Sequence, residues 1–255
     1  MENILDKIAQ CVELGKIDLN SPFPPEMKGE DGVDELVLKA LEQNIPPDEV
    51  LTKGLIVGMN NIGVKFKENR VFVPQVLLSA RAMNAGMKHL KKYFADGSVK
   101  RKGKFIIGTV EGDLHDIGKN LVCMMVEGNG YEVIDLGVDV NKDKFVDTLK
   151  ENPDAYVGMS ALLTTTMVNM EPINAAIKEE SPHVKTFVGG APGSAEFEEK
   201  IGVDYHSDDP QKFVDLLKRL TTNQYDTQRT LSYCPGRWCA GQNTKQRTFD
   251  QSDII

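Results

Sequence analysis

Several features that would place this chain outside the ordinary cell interior are missing or scarce. Cysteine is sparse: Cys11, Cys123, Cys234 and Cys239 are scattered over 255 residues, two of them in expected helices, which suits a reducing compartment better than a disulfide framework. Cys234 and Cys239 bracket Pro-Gly-Arg-Trp, but with no second pair at ligand spacing they are assigned no metal. An excess of basic charge is also missing. Thirty Lys and Arg against 38 Asp and Glu leave a formal charge of −8, which disfavours a nucleic-acid partner held through phosphate contacts. No apolar run approaches the ~18 residues of a membrane span. The first residues, Met1-Glu2-Asn3-Ile4-Leu5-Asp6, lack the basic and apolar regions of a signal peptide. The cytoplasm is the expected compartment, with neither nucleic acid nor membrane as partner.

What is present is an ordinary globular composition, 40% hydrophobic and 27% charged, in a chain long enough for one large domain or two small ones. The rhythm of apolar residues divides it. Residues 2–14 carry an approximate helical stripe at Ile4, Leu5, Ile8, Cys11, Val12 and Leu14. A second helix opens at Gly32-Val33 and ends before Ile45-Pro46-Pro47, because a residue preceding proline is disfavoured in the helical region. Asp48 is placed to cap a third, running through Leu51, Leu55, Met59, Ile62 and Phe66. A fourth follows Pro74 with Val76, Leu77, Ala80, Met83, Met87 and Leu90. The expectation for residues 1–95 is a four-helix bundle. Residues 96–103, polar with two glycines and a basic run, read as a linker.

After the linker the period changes. Segments 104–110, 131–136, 154–160, 184–188 and a short 203–205 read as strands, each followed by helical spacing, so residues 104–220 are expected to form an α/β domain around a five-stranded parallel sheet. A fragment starting near Gly103 would retain all of it and is expected to fold by itself. Residues 221–255 are polar with little periodicity and read as a poorly ordered tail.

The segment Thr109-Val110-Glu111-Gly112-Asp113-Leu114-His115-Asp116-Ile117-Gly118-Lys119-Asn120 places a polar, histidine-bearing loop where the first strand ends and a helix opens. It is not a phosphate loop, which needs four residues between its glycines and Ser or Thr after the lysine; here there are five, and Asn120 follows. It is not a receiver domain, which needs an aspartate at the end of the third strand, where Ser160 stands. Zinc is disfavoured because His115 has no second His or Cys at ligand spacing. Imidazole is a good neutral ligand for cobalt when one ring nitrogen is free and the other holds the proton, and a carboxylate two residues earlier can accept that N–H. Asp113 is so placed. On its own the loop still admits a plain surface histidine beside a helix start.

In a flavodoxin-like strand order, ligands bind outside the carboxyl ends of the first and third strands. The His115 loop follows the first. After the third comes Ser160-Ala161-Leu162-Leu163-Thr164-Thr165-Thr166, with more hydroxyls than N-capping explains. The fourth ends in Gly189-Gly190.

Taken together these segments resemble the corrinoid (vitamin B12) binding domains. Asp113, His115 and Gly118 match the DxHxxG cobalt-ligating loop; Ser160 and Leu162 match the SxL segment lining the slot for the displaced nucleotide base; Gly189-Gly190 matches the paired glycines where the tail passes. Residues 54–66 and 73–83 resemble the helical cap of methyltransferase corrinoid proteins and of cobalamin-dependent methionine synthase. The likeness spans about residues 50–220. It implies a Rossmann-like B12-binding domain under a four-helix cap, with a cobamide held base-off and His115 as lower axial ligand to cobalt. His115, Asp113 and Thr166 would form a hydrogen-bond relay. Gly112, Asp116, Ile117, Gly118, Ser160, Leu162, Thr164, Gly189 and Gly190 would contact the cofactor, and Phe66, Val73, Leu77 and Leu78 would supply an apolar lid.

The function implied is that of a methyl carrier, not catalytic alone. It would move a methyl group on cobalt from a donor-specific methyltransferase to an acceptor methyltransferase using a tetrahydrofolate-type pterin or a thiol coenzyme, with a reductive activator as third partner. Methanol, methylamines, quaternary amines and methoxylated aromatics all remain open as donors. Two rivals share the loop: the B12-binding subunit of an adenosylcobalamin-dependent isomerase, which normally works with a barrel, and a B12-responsive regulator, which needs a DNA-binding helix that the roughly fifty residues before the cap core do not provide.

Overall fold

The computed structural model describes residues 3–190 and 195–232. Its first half is helical. α1 (Ile4–Leu14) is capped by Asn3, whose side chain accepts from the amide of Leu5, and closes on Gly15. α2 (Val33–Glu42) opens with the carboxylate of Glu35 accepting from the amide of Gly32. The expected third helix is a composite: α3 (Pro47–Glu49) runs through a π-helical segment, Val50–Leu55, into α4 (Ile56–Lys67). α5 (Val73–Ala95) begins with proline in its first turn, where no amide is needed.

The second half alternates as expected: β1 (Lys104–Thr109), α6 (Ile117–Glu127), β2 (Glu132–Asp135), α7 (Lys142–Glu151), β3 (Tyr156–Ser160), α8 (Thr164–Met167), α9 (Met170–Glu180), β4 (Thr186–Gly189), α10 (Ala195–Ile201), β5 (Tyr205–His206) and α11 (Pro210–Ser232). All pairings are parallel and the order is β2-β1-β3-β4-β5, so the switch point lies between β1 and β3. α11 continues past residue 221, where the sequence places the start of the tail; no Gly or Pro interrupts the chain from Gln211 to Cys234. Residues 233–255, with Cys234 and Cys239, lie outside the described residues.

Successive residues of each strand feed opposite faces of the sheet. Ile106, Val157, Met159 and Val188 join a core with Phe145, Leu149, Ile173 and Ile177 beneath α7 and α9. Phe105, Ile107 and Phe187 turn the other way, into a core that also holds Met125, Phe213 and Leu217 and runs without a break into Ile8, Leu55, Met59 and Met83 of the bundle. Bundle and sheet therefore share one core. The intervening segment is pinned as well: Val99 is buried, and the guanidinium of Arg101 donates to the carbonyl of Tyr131 at 3.0 Å.

The seam between the halves fixes the direction of α4. The Lys218 ammonium donates to Asn60 at 2.5 Å, while a side chain at Gly63 would strike Oε1 of Gln211 at 1.8 Å; on α6, Met59 meets Gly128 and Gly63 faces Met125. Rising numbers on α4 thus meet falling numbers on α6 and α11. Both of those helices begin at the carboxyl edge of the sheet, so the end of α4 and the turn into α5 rise toward that edge.

Candidate functional site

The loop after β1 is organised around Asp113, which is fully buried. Its Oδ1 accepts from the amide of His115 at 3.0 Å and lies 2.7 Å from Nδ1 of the same residue. Its Oδ2 accepts from the Thr166 hydroxyl at 2.7 Å and from the amide of Leu162 at 2.9 Å. Burial alone would raise the carboxyl's pKa, but the hydrogen bonds from Thr166, His115 and Leu162 outweigh it and hold the group well below the usual carboxylate range. An ionised carboxylate only accepts, so the neutral imidazole carries its proton on Nδ1 and its lone pair on Nε2. The ring of His115 is 51% exposed, and Nε2 has no partner among the described residues.

The loop is braced from several sides. Thr109 donates through its hydroxyl to the carbonyl of His115 at 2.9 Å, the amide of Gly112 donates to Asp139 at 2.7 Å, and Asn169 donates to the carbonyl of Glu111 at 2.8 Å. Asp116 stands at the N-cap position of α6, and its carboxylate accepts from the Asn120 side chain at 2.9 Å. Thr109, Asp139 and Asn169 escape sequence reading because each acts from an element other than the loop it steadies. So does Lys119, a buried lysine whose ammonium donates to Asp135 at 2.6 Å and to Asn120 at 2.8 Å.

Around this histidine the surface is apolar where a soluble loop would be polar. Leu114 and Ile117 are 71% and 74% exposed, and Leu162, Leu163 and Val168 stand out beside them on the facing segment. Such a cluster marks a binding surface. Ile117 and Leu162 are expected from sequence; Leu114, Leu163 and Val168 are not, because exposed apolar residues look like core residues until the fold is known.

Beside the histidine a cavity of about 110 Å³ opens between β1, β3, β4, α6 and α11. Gly118, Ser160, Gly189 and Gly190 all line it. Gly190 sits at φ +98, and a Cβ there would lie 2.6 Å from the carbonyl oxygen of Ala161, so only glycine closes this turn without strain. At Gly118 nothing lies within 4 Å of a side-chain position, which leaves room for a ligand. Thr164 is exposed on the first turn of α8 and takes no part in the Asp113 network.

Of the lid residues, Phe66 and Val73 are half-buried against the bundle core, Leu77 is half-buried on α5, and Leu78 turns toward Gly15. The most exposed large hydrophobic residue near that end is Phe72, 68% exposed just before α5.

A half-exposed imidazole aligned by a buried carboxylate, an apolar apron around it and a deep slot at the switch point define a corrinoid-binding module. The donor set fits a cobalt corrin: one neutral nitrogen, its partner nitrogen fixed, and no competing cluster of His, Cys, Asp or Glu among the described residues. Residues 103–211 match the B12 binding domain family, and residues 29–91 match a second family of that description. The chain is 40% identical over 191 residues to dimethylamine corrinoid protein 3 of Methanosarcina acetivorans, covering 73% of this chain and 90% of that one. It is 39% identical over 188 residues to trimethylamine corrinoid protein 1 of Methanosarcina mazei, covering 72% and 87%. Among solved structures it resembles the methanol:cobalamin methyltransferase complex MtaBC of Methanosarcina barkeri (TM-score 0.72, 25% identity, 86% of this chain and 80% of that one). It also resembles a cobalamin-binding protein of Desulfitobacterium hafniense DCB-2 (TM-score 0.65, 28% identity, 84% and 97%). The chain belongs to the B12-binding corrinoid proteins of methyltransferase systems, and its cofactor is a cobalamin or related cobamide. Among the described residues no helix is long and apolar enough to cross a membrane.

Proposed function

We propose that this chain is the methyl-carrying subunit of a cytoplasmic corrinoid methyltransferase system, holding its cobamide base-off with Nε2 of His115 as lower axial ligand. The observation that carries this reading is the grip of Asp113 on Nδ1 of His115, which presents the second ring nitrogen outward. When bound, the corrinoid supplies a cobalt centre able to accept and release a methyl group. The protein's own task is orientation and shielding. Asp113 holds the imidazole proton and the Thr166 hydroxyl donates to Asp113, so ligand basicity responds to both hydrogen bonds. Leu114, Ile117, Leu162 and Leu163 offer the ring an apolar seat. Residues 1–95 serve as the cap, 96–103 as the connection and 104–220 as the cofactor domain; the direction of α4 brings Phe66, Phe72 and Val73 toward the upper side.

A donor-specific methyltransferase, an acceptor methyltransferase using a pterin or thiol coenzyme, and a reductive activator are the partners of this reading. The kinship with dimethylamine and trimethylamine corrinoid proteins puts methylated amines first among donors. The matched helical segment at residues 29–91 favours the carrier over an isomerase subunit, which normally works with a barrel. The test is an anaerobic assay of reduced, cobalamin-loaded protein with each donor class, with and without a cognate methyltransferase. Transfer is expected only with the methyltransferase; rapid methylation of the chain alone refutes the carrier reading. In parallel, His115→Ala should change the visible spectrum of the bound corrinoid, and an unchanged spectrum refutes His115 as ligand.

A further inference from the structure

The end of the molecule remote from His115 is charged opposite to the rest. Residues 88–104 hold six lysines and Arg101 against one carboxylate, Asp96, a net charge of +6 within a chain of −8. A cation in the last turn of a helix complements its dipole, which accounts for Lys92 in α5. That effect neither reaches Lys88 nor explains Lys100, Arg101 and Lys102, which lie beyond the helix. These residues border a groove. A cavity of about 360 Å³ between α5 and the end of α6 is lined by Met87, Lys88, Lys91 and Glu127, and a second of about 650 Å³ by Lys100 and Glu132. Phe94 and Arg101 belong to both. α6 ends and β2 begins at the amino edge of the sheet, opposite the His115 loop. The groove is therefore separated from that loop by the length of β1, about 20 Å for six residues at ~3.3 Å each.

The wall shared by the two cavities is held rigid. Nη1 of Arg101 donates to the carbonyl of Tyr131 at 3.0 Å, and the guanidinium carbon lies 4.7 Å from the centroid of the Phe94 ring. A guanidinium has five N–H groups, and beyond this one bond Arg101 meets no acceptor among the described residues. Lysines elsewhere are neutralised inside the protein, Lys119 by Asp135 and Lys178 and Lys185 by Asp204. Lys88, Lys91 and Lys100 are exposed instead, and among the described residues no carboxylate pairs with them or with Arg101.

We infer that this groove docks an extended, acidic segment of a partner protein. Carboxylates along such a segment pair with Lys88, Lys91 and Lys100, and one engages the stacked fork of Arg101 through two parallel hydrogen bonds. Met87 and Phe94 give its intervening side chains apolar contact. The shape favours a chain over a small anion: α5 from Asn84 to Ala95 covers about 17 Å at ~1.5 Å per residue, the reach of about six extended residues. Glu127 and Glu132 favour a peptide over a nucleic acid, since a peptide can place a neutral residue against them and a phosphate backbone cannot. The docking stands apart from the methyl-carrier reading, and one consequence rests on it: a partner held at the amino edge can stay bound while the cobalt face passes between enzymes.

The experiment is fluorescence anisotropy on the full chain, with and without cobalamin, using three labelled probes: an octapeptide of alternating Glu and Gly, its Gln counterpart and a thymidine octanucleotide. The Glu peptide should bind about tenfold tighter than the Gln peptide, weaken as salt screens the exposed charges, and be indifferent to cobalamin. Lys88→Glu with Lys91→Glu should weaken it by about tenfold. Lys7→Glu with Lys142→Glu, an equal charge change at exposed positions away from the groove, should leave it within about twofold. Arg101→Lys keeps the charge but loses the fork, and should weaken it by about threefold. Equal loss in the two double variants overturns the groove in favour of general attraction to the chain. Nucleotide binding as tight as that of the Glu peptide, and lost with Lys88 and Lys91, overturns a protein partner. Salt-sensitive self-association in sedimentation that Lys88→Glu with Lys91→Glu abolishes gives the groove to a second copy and overturns it too, as does no binding of the Glu peptide. Cobalamin titration of every variant should match wild type, which separates a failure of docking from a failure of the corrinoid site.

Discussion

Thr166 and Asp113, 53 residues apart in the chain, meet at 2.7 Å beneath His115. The hydroxyl comes from the segment after β3 and the carboxylate from the loop after β1, so the contact ties together the two loops that flank the switch point. Because Asp113 also receives the amide of Leu162, the orientation of the imidazole depends on a segment that never touches it.

Replacing Thr166 with Val removes the hydroxyl and keeps the volume. Loss of a partner behind a metal-bound histidine typically costs about 10- to 100-fold in affinity, so cobalamin binding should weaken by about that factor while Thr166→Ser stays near wild type. Titration of both variants by absorbance is the check, and equal affinity for Val and Ser would show that the hydroxyl does not act on the site.

Leu114 and Ile117 are so exposed that folding gains little from them. Leu114→Ser with Ile117→Ser should shift the urea midpoint by no more than the ~0.5 kcal/mol usual for surface changes. Corrinoid affinity should fall at least tenfold, because the apron loses its apolar contact. Measuring both quantities on the same protein separates a seat for the ligand from a stray hydrophobic pair.

The far edge of the sheet offers a pH-dependent test. Asp204 accepts from the ammonium groups of Lys178 at 2.5 Å and Lys185 at 2.9 Å and from the amide of Thr186 at 2.9 Å. Burial by itself would raise its pKa, but these hydrogen bonds prevail and lower it. A carboxylate whose pKa is lower folded than unfolded adds stability that is fully present above the unfolded value of about 4 and is lost as pH falls through the folded value. Asp204→Asn should therefore cost about 2 kcal/mol at pH 7, with the difference from wild type shrinking below about pH 4. Urea unfolding across pH 3–8 measures it.

A fragment beginning at Gly103 keeps every strand but loses the bundle half of the shared core. It should melt without a cooperative transition and bind a hydrophobic dye, as surfaces of α6 and α11 around Met125 and Gln211 come into contact with water. Differential scanning calorimetry distinguishes this from an independently folded domain.

Much of this was legible in the sequence, for reasons that differ by element. A parallel sheet followed from the alternation, while its flavodoxin-like order was a premise; the pairing of Asp113 with His115 lay in residue type and spacing, and the place of Thr166 beside them came from the resemblance to corrinoid domains. The shared core was not legible. The polar run at residues 96–103 reads as a flexible link, and nothing local tells that Val99 is buried or that Arg101 reaches Tyr131. The far end of α11 was missed because its polar residues lack a helical stripe, although nothing in them breaks a helix. Phe72 was passed over for its neighbours, since exposure at a helix start has no signature in composition.

The seam where Gly63 meets Gln211 and Met59 meets Gly128 sets the terms on which such proteins can be recombined. The face beneath α7 and α9 belongs to the sheet alone, but the opposite face is half owned by the bundle. A chimera cut at the connecting loop would set foreign side chains against the glycines of α4. A functional graft has to take the outward surfaces of α6 and α11 along with the four helices, so the unit of exchange crosses the boundary that the chain's own punctuation suggests.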